Sequence, residues 1–368
     1  MRGSGYGTGV SKDLAEWRKS GTTEAMLRTT LAISIVLSSM PAPAAPPAVK
    51  SIEAKSAEFR KLVSAGARLR VIADGAAWTE GPVWIAQGGY LLFSDPPKNR
   101  MMRWAPGTSA KVFLEPSGGP DTKGFREAGS NGLKPGGPGK LLVADEGNRG
   151  IALLNLRTKE KRLLVQRFEG KRLNSPNDIA VGPDGSIWFT DPPYGLEGVD
   201  DSPMKEQAEN RVYRLGPDSR LTAKESQLRY PNGIAFSPDG KTFYISNSDP
   251  KQAVILAWNV LPGGKLSGRR VFADMNALAA KGLPGLPDGM CVDARGDLWA
   301  SGPGGIHVLT PGGRELGLIS TGVAMSNCAF GGADGRTLFM TSTHQVVALH
   351  TNVRGAPARL PKLSGLAR

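Results

Sequence analysis

Residues 231–247 read Pro231-Asn-Gly-Ile-Ala-Phe-Ser-Pro-Asp-Gly-Lys-Thr-Phe-Tyr-Ile-Ser-Asn247, and this stretch contains the pattern that decides the fold. A polar residue, Asn232, opens a short apolar run, a Pro-Asp-Gly turn follows, and a second apolar run ends the segment. Asp-Gly supplies the positive φ that a tight hairpin needs. The segment therefore predicts an antiparallel pair of strands.

Five further segments repeat this pattern, and they open at Glu80, Asn131, Asn177, Asp288 and Asn327. Successive opening residues lie 51, 46, 55, 56 and 39 residues apart. These intervals are close to the roughly 40–50 residues of a four-stranded propeller blade. The apolar runs are short and rich in β-branched and aromatic residues, which favours strands over helices. We therefore predict an all-β fold, a six-bladed β-propeller with a central metal-binding channel.

The six opening residues are expected to form a ring. The innermost strand of each blade lines the channel, so equivalent residues stand at the same height. The ring would contain two carboxylates and four amides without Lys or Arg, a set that suits calcium, magnesium or manganese better than zinc or copper. An alternative is that Asn and Asp before glycine only cap turns. That alternative is weak for Glu80, which precedes Gly-Pro and has no turn to form.

Blades bury their faces only against neighbouring blades, so we expect residues 60–354 to form one closed unit. Closure usually needs a strand from one terminus, and the candidate is Ala67-Arg-Leu-Arg-Val-Ile-Ala73. Residues 46–59 are predicted to be an extended linker, and residues 355–368 a tail. Trp84, Trp188 and Trp299 recur at similar blade positions and are expected to pack between blades.

The amino-terminal segment differs in composition from the repeats. Residues 26–45 combine a basic start, an apolar run from Thr29 to Met40 and a small-residue stretch, which is typical of a secretory signal peptide too short to span a bilayer. Residues 1–25 form a polar leader, which an over-extended reading frame with a true start at Met26 would explain. We expect export, to the periplasm. A cytoplasmic protein with a disordered tail remains the alternative.

The formal net charge is +13, with 46 basic and 33 acidic residues. Lys and Arg are scattered, and no basic stripe is interleaved with aromatic residues as single-strand binding requires. A solvated surface is therefore the preferred interpretation, and no nucleic-acid partner is expected. Attraction of anionic sugar acids is a weaker alternative.

The two cysteines, Cys291 and Cys328, fall in the first strands of adjacent repeats. They could meet at the channel wall and be oxidised in an exported protein. Two free buried thiols are the preferred interpretation, because cysteine often acts as a small apolar residue. His307, His344 and His350 lie in apolar strand contexts, where we expect wall residues rather than catalysts.

Five motifs in order resemble the family of gluconolactonase, regucalcin (senescence marker protein) and luciferin-regenerating enzyme. The resemblance covers roughly residues 70–350. The motifs are Glu80-Gly-Pro-Val-Trp84, Ser175-Pro-Asn-Asp178, Thr190-Asp-Pro-Pro-Tyr-Gly195, Pro231-Asn-Gly-Ile-Ala-Phe-Ser-Pro-Asp-Gly240 and Pro287-Asp-Gly-Met-Cys-Val-Asp293. The resemblance implies a six-bladed propeller with one divalent cation in its channel, most often Ca²⁺, with Mg²⁺, Mn²⁺ or Zn²⁺ as alternatives. It also implies hydrolysis of a small-molecule sugar lactone.

The resemblance assigns the family's metal ligands to Glu80, Asn232 and Asp288. Asn177 matches an asparagine that contacts substrate, or that binds the metal in the diisopropylfluorophosphatase branch. Asn131 is expected to contact substrate, and Asn327 is treated with it as an outer member of the ring. One motif departs from the family pattern. This chain has Asp145-Glu-Gly-Asn-Arg149 where gluconolactonase-like members commonly carry Glu-His-Gly-Asn-Arg, so any substrate contact of that histidine is in doubt.

The implied chemistry is attack of water on a lactone carbonyl drawn toward the cation. Asp288 matches the family's general base, although a bound dication lowers a carboxylate's pKa and weakens it as a proton acceptor. Either Asp288 gives one oxygen to the metal and one to water, or the metal alone acidifies the water. Tyr194 begins a long insertion reaching about Asn210 and is expected to line the substrate pocket.

Two other functions remain open at this point. A phosphotriesterase-like hydrolase would use the same cation on a P=O group. A non-catalytic exported binding propeller would use the metal only for structure. The identity of the lactone and the oligomeric state are left open by the sequence.

Overall fold

The computed structural model describes residues 50–363 and 365. The predicted leader, residues 1–25, and the predicted signal peptide, residues 26–45, lie outside these residues and stay predictions. Across the described part of the chain, no helix is long and apolar enough to cross a membrane.

Six antiparallel sheets, five of four strands and one of five, follow one another along the chain, which confirms the six-bladed β-propeller. In each blade the strand that begins the repeat lies innermost. Blade 1 contains Glu80–Ile85, Tyr90–Asp95, Arg100–Trp104 and Lys111–Leu114. Blade 2 contains Ser130–Pro135, Lys140–Asp145, Gly150–Asn155 and Lys161–Val165. Blade 3 contains Ile179–Val181, Ile187–Asp191, Arg211–Leu215 and Leu221–Glu225.

The remaining blades continue the same order. Blade 4 contains Pro231–Phe236, Thr242–Asp249, Gln252–Leu261 and Lys265–Asp274. Blade 5 contains Met290–Val292, Leu298–Gly302, Gly305–Leu309 and Glu315–Ser320. Blade 6 contains Asn327–Gly331, Thr337–Ser342 and Gln345–His350. Outside the blades lie a short hairpin, Arg167–Phe168 with Lys171–Arg172, the helix Asn276–Ala280, and 3-10 turns at Pro96–Lys98, Val199–Asp201 and Pro262–Gly264.

The amino-terminal side of the chain supplies the fourth strand of blade 6. Arg70–Ala73 pairs antiparallel with Gln345–His350, so the predicted closing strand is present, although it begins at Arg70 rather than Ala67. The next residues extend the closure, because the Thr79 amide donates to the Thr343 carbonyl at 2.7 Å. Ser326 Oγ in turn donates to the Thr79 carbonyl at 2.7 Å. Blades 6 and 1 are thereby joined by one main-chain hydrogen bond and one hydrogen bond from a side chain to the main chain.

Over its described part, residues 50–59, the predicted linker is not an extended segment. Ser51–Ala54 adds a fifth, outermost strand to blade 5, and a helix follows at Ala57–Leu62. Ser56 caps this helix by accepting from the Phe59 amide at 3.1 Å. Phe59 packs where Gly317 leaves space, since a Cβ on that glycine would lie 2.4 Å from the Phe59 ring. The packing of Phe59 against blade 5 holds the helix in place. The sequence of this short, largely polar segment gave no sign of that contact.

Replacing Phe59 with Ala should lower the free energy of unfolding by about 3–5 kcal/mol. The side chain is 1% exposed and belongs to the core shared by blades 5 and 6, so truncation leaves a cavity. Urea titration of the variant beside Arg60→Ala measures the loss, because Arg60 is exposed in the same helix and should change stability by no more than about 0.5 kcal/mol. Equal stability of both variants would show that the extension does not support the blades.

The predicted hairpin turns take the expected backbone conformation. Gly185, Gly240 and Gly335 have φ of 81°, 74° and 71°. The aspartate before each glycine fixes the turn, as Asp239 Oδ1 does by accepting from the Lys241 amide at 3.0 Å. The core then lies between adjacent blades, where Trp188 and Trp299 are almost fully buried and Trp84 stacks on Phe339, as expected.

The segment 355–368 is not a free tail over its described length. The Ala356 amide donates to the Val292 carbonyl of blade 5, Arg359 Nη2 to the Ser237 carbonyl of blade 4, and the Lys362 amide to the Gly185 carbonyl of blade 3, each at 2.9 Å. Residues 355–359 also line a cavity formed by the far ends of the inner strands. The segment therefore covers one end of the channel.

Candidate active site

A cavity of about 570 Å³ lies at the other end of the channel, where the inner strands begin. Five of the six residues that open the repeats line it together: Glu80, Asn131, Asn177, Asn232 and Asp288. Four of these five residues are followed by glycine, which lets neighbouring inner strands approach closely. A Cβ on Gly233 would lie 2.2 Å from the Asp288 carbonyl oxygen, so only glycine lets these strands approach so closely.

The environment of the two ring carboxylates disfavours their ionised forms. Glu80 is 4% exposed, and burial raises its pKa from 4.5 to about 7. The pKa of Asp288 is also raised well above its usual value, first by burial and then by the charge of Glu80. The charges of Asp178 and Glu127 raise both pKa values further. Two carboxylates whose charged forms are disfavoured in this way favour a positive charge placed between them.

Hydrogen bonds orient two of the ring amides. Asn232 Nδ2 donates to Ser248 Oγ at 3.0 Å, and Asn131 Nδ2 donates to Glu146 Oε1 at 3.1 Å. Each amide nitrogen is thereby used within the protein, so each Oδ1 is left as an acceptor at the cavity. The side chain of Asn177, 5% exposed in the same wall, completes the set of oxygen donors.

Asn327 does not supply an oxygen to the ring, in contrast to the expectation from the repeats. Its Oδ1 accepts from the Cys328 amide at 2.8 Å. Its Nδ2 donates to Glu80 Oε2 at 3.3 Å, and the Gly81 amide donates to the same oxygen at 3.0 Å. Asn327 therefore orients the Glu80 carboxylate and leaves Glu80 Oε1 toward the cavity.

Tyr194 lines the cavity, in the place predicted from the insertion it begins. Its ring stacks on Tyr230 at 5.6 Å, and Tyr230 Oη donates to Asp200 Oδ2 at 2.8 Å within the insertion. The Tyr194 hydroxyl is buried and has no hydrogen-bond partner among the described residues. Burial, and after it the charge of Asp288, raises the pKa of the Tyr194 hydroxyl. The hydroxyl therefore keeps its proton and can donate a hydrogen bond.

Sequence reasoning missed three polar residues at the site. Arg126 and Glu127 line the cavity as a pair 2.6 Å apart, and burial raises the pKa of Glu127. They precede blade 2 and lie outside the repeated segment, so no spacing could have found them. Glu146 is fully buried, its Oε2 has no hydrogen-bond partner in the described part of the chain, and burial raises its pKa. Its signal was present in the sequence, because Glu146 stands where the family motif has histidine.

The rest of the wall is apolar and includes Trp78, Leu286 and Met325. The three histidines lie elsewhere. His307 is held in blade 5 by Glu315 Oε1 at 2.7 Å and the Pro303 carbonyl at 3.1 Å. His344 contacts main-chain carbonyls on the surface, and His350 is exposed.

The donor set fits a hard cation by its chemistry. No group of three or more His, Cys, Asp or Glu side chains is arranged to hold a metal ion in the described residues. The ring instead offers two carboxylates and three amide oxygens, a mixture that calcium accepts in proteins. Glu80, Asn177, Asn232 and Asp288 are the residues that could hold it.

Comparisons with known proteins agree on one family. Residues 78–344 match the family described as "SMP-30/Gluconolactonase/LRE-like region". A gluconolactonase from Zymomonas mobilis is 45% identical over 293 residues, which cover 78% of this chain and 82% of that protein. Regucalcin from Oryctolagus cuniculus is 27% identical over 282 residues, with 74% and 85% covered. A solved gluconolactonase from Xanthomonas campestris has a TM-score of 0.70 and 35% identity, covering 83% of this chain and 98% of that one.

Proposed function

The chain belongs to the SMP-30/gluconolactonase/LRE-like family, and from this premise we propose that it is a divalent-cation-dependent lactonase that hydrolyses sugar lactones. The main support is that Glu80, Asn177, Asn232 and Asp288 converge on one cavity. The Tyr194 hydroxyl beside them has no hydrogen-bond partner within residues 50–363 and 365. Relatives whose names specify lactone hydrolysis support the substrate class, and a calcium-binding regucalcin of the same fold supports the cation.

When bound, the cation supplies a Lewis acid that polarises the lactone carbonyl and lowers the pKa of water. Asp288 accepts the proton of the attacking water, because it is the ring carboxylate with the greater access to the cavity. Asn327 orients the Glu80 carboxylate, which supplies negative charge to the cation site. Water adds to the carbonyl carbon, the ring C–O bond of the lactone then breaks, and the leaving oxygen takes the proton that Asp288 accepted from the water.

The other residues of the cavity position the sugar. Asn131, oriented by Glu146, presents an acceptor to a substrate hydroxyl, and the Tyr194 hydroxyl presents a donor. Leu286 and Met325 cover the less polar face of the sugar ring and reduce the access of water. A polyhydroxylated ring fits this combination of several polar groups with one apolar wall.

We expect hydrolysis of gluconolactone, corrected for the spontaneous reaction, to fall by at least about 100-fold after chelation and to return with added Ca²⁺, Mg²⁺, Mn²⁺ or Zn²⁺. A pH-indicator assay over a lactone panel measures this, with a paraoxon-type phosphotriester in parallel. Faster chelator-sensitive turnover of the phosphotriester would replace the proposal with a phosphotriesterase. Hydrolysis of neither substrate, together with cation binding, would indicate a binding propeller.

A further inference from the structure

At two of the six blade junctions, side chains of neighbouring inner strands meet at the same pair of positions. There the third residue after the ring residue of one blade faces the first residue after the ring residue of the next blade. At four of the six junctions the second position is glycine: Gly81, Gly132, Gly233 and Gly289. At the junction of blades 2 and 3, the two positions hold Lys134 and Asp178, whose Nζ and Oδ1 atoms lie 3.6 Å apart.

At the junction of blades 5 and 6, the same two positions hold Cys291 and Cys328. Their Sγ atoms lie 2.7 Å apart. Both residues line the cavity at the far end of the channel, which is opposite the ring and covered by residues 355–359. They are the two cysteines of the whole chain. We propose that Cys291 and Cys328 form a disulfide that fastens blade 5 to blade 6.

The Lys134–Asp178 pair shows that side chains at these two positions point toward each other across a blade junction. A cysteine pair can use the same alignment for a covalent bond. The thiols lie 37 residues apart in sequence, so a bond between them restricts a substantial loop of the unfolded chain. Among the described residues, the Cys328 thiol makes one other polar contact, to the Trp299 carbonyl of blade 5 at 3.2 Å, so the thiol is directed toward the junction of blades 5 and 6.

The bond forms by thiol–disulfide exchange with a disulfide oxidant. Each cysteine loses its thiol hydrogen, one S–S bond forms, and the two electrons and two protons reduce the oxidant to two thiols. Burial and the neighbouring Cys328 raise the pKa of the Cys291 thiol, so little Cys291 thiolate exists once the chain is folded. Oxidation is therefore expected during folding, before residues 355–359 close over the cavity.

The test compares the full chain refolded from guanidinium in oxidised glutathione with the same chain kept reduced. After unfolding in N-ethylmaleimide, the oxidised monomer should carry no alkyl group and weigh two hydrogens less than the reduced chain. The oxidised protein should also melt roughly 5–10 °C higher. Lactone hydrolysis at 25 °C should be equal in both forms, because the thiols lie at the opposite end of the channel from the ring.

Cys291→Ala and Cys328→Ala provide the matched controls. Each single variant should remain alkylatable at its remaining cysteine and show no rise in melting temperature with oxidant. Should either variant fail to fold, the alkylation result for the unmodified chain decides the question alone. Two alkylated cysteines after oxidative refolding, or a crosslink that joins only separate chains, would overturn the proposal.

Discussion

Replacing Asp288 with Asn is expected to lower kcat/KM for lactone hydrolysis by at least about 1,000-fold, since a positioned base contributes about 10²–10⁴-fold and the lost charge also weakens cation binding. Asparagine keeps the size of the side chain and one oxygen, so the cavity should hold its shape. Rates must be measured beside Ca²⁺ occupancy, by calorimetric titration of the same preparation.

The pair of measurements separates the two roles assigned to Asp288. A low rate at full occupancy assigns proton transfer to its carboxylate, and a low rate that recovers at high Ca²⁺ assigns it to binding alone. Unchanged turnover at full occupancy would remove Asp288 as the base. Asp293→Asn is the matched control, because Asp293 directly follows the inner strand that Asp288 precedes, and it accepts from Trp299 Nε1 at 3.0 Å, away from the cavity. That variant should lose stability but keep its rate.

The fold could be predicted because each blade repeats one short pattern, and packing alone determines how such units assemble. The same repetition predicted that Glu80 and Asp288, 208 residues apart in sequence, would face one cavity. Repetition says little about the direction of a single side chain. Asn327 occupies a ring position, yet its oxygen is used by the Cys328 amide, a choice made by local hydrogen bonds.

Features outside the repeat were missed for a related reason. The helix Ala57–Leu62 and residues 355–359 gain their structure only from contacts with blades already formed, so their own sequences carry a weak signal. Glu127 lies in a connection with no counterpart in other blades. The oxygen atoms of the binding cavity thus come from residues that the repeats predict, whereas part of its wall comes from irregular connections between blades. We expect these connections to set the substrate specificity.

Without a cation, the protein should be less stable near pH 8 than near pH 5. Burial raises the pKa of Glu80 in the folded state from 4.5 to about 7, so the folded state keeps a proton that the unfolded chain has already released. This contribution is complete below pH 4.5 and is lost as the pH rises to about 7. The cost is about 3 kcal/mol from Glu80, and the raised pKa of Asp288 acts in the same direction.

Glu80→Gln should therefore make the chelated protein more stable near pH 8, by about 3 kcal/mol, and leave it nearly unchanged below pH 4.5. Urea titrations in a chelator at both pH values measure the difference. Asp191, whose pKa is also raised to about 7 by burial, affects both proteins equally and cancels in the comparison. Glu197→Gln is the control, because Glu197 is exposed and its charge is solvated in the folded state.

Calcium should reverse the advantage of the variant. A ligand at 100 times its Kd stabilises the folded state by about 2.7 kcal/mol, and only the unmodified ring retains both carboxylates to bind it. The unmodified protein near pH 8 should consequently gain stability with calcium, while Glu80→Gln gains little. If calcium stabilised both proteins equally, Glu80 would not be a ligand, and its burial would need another explanation. If the chelated proteins showed no difference near pH 8, the carboxylate would already be neutralised by the protein itself, and the ring would have no need of a cation.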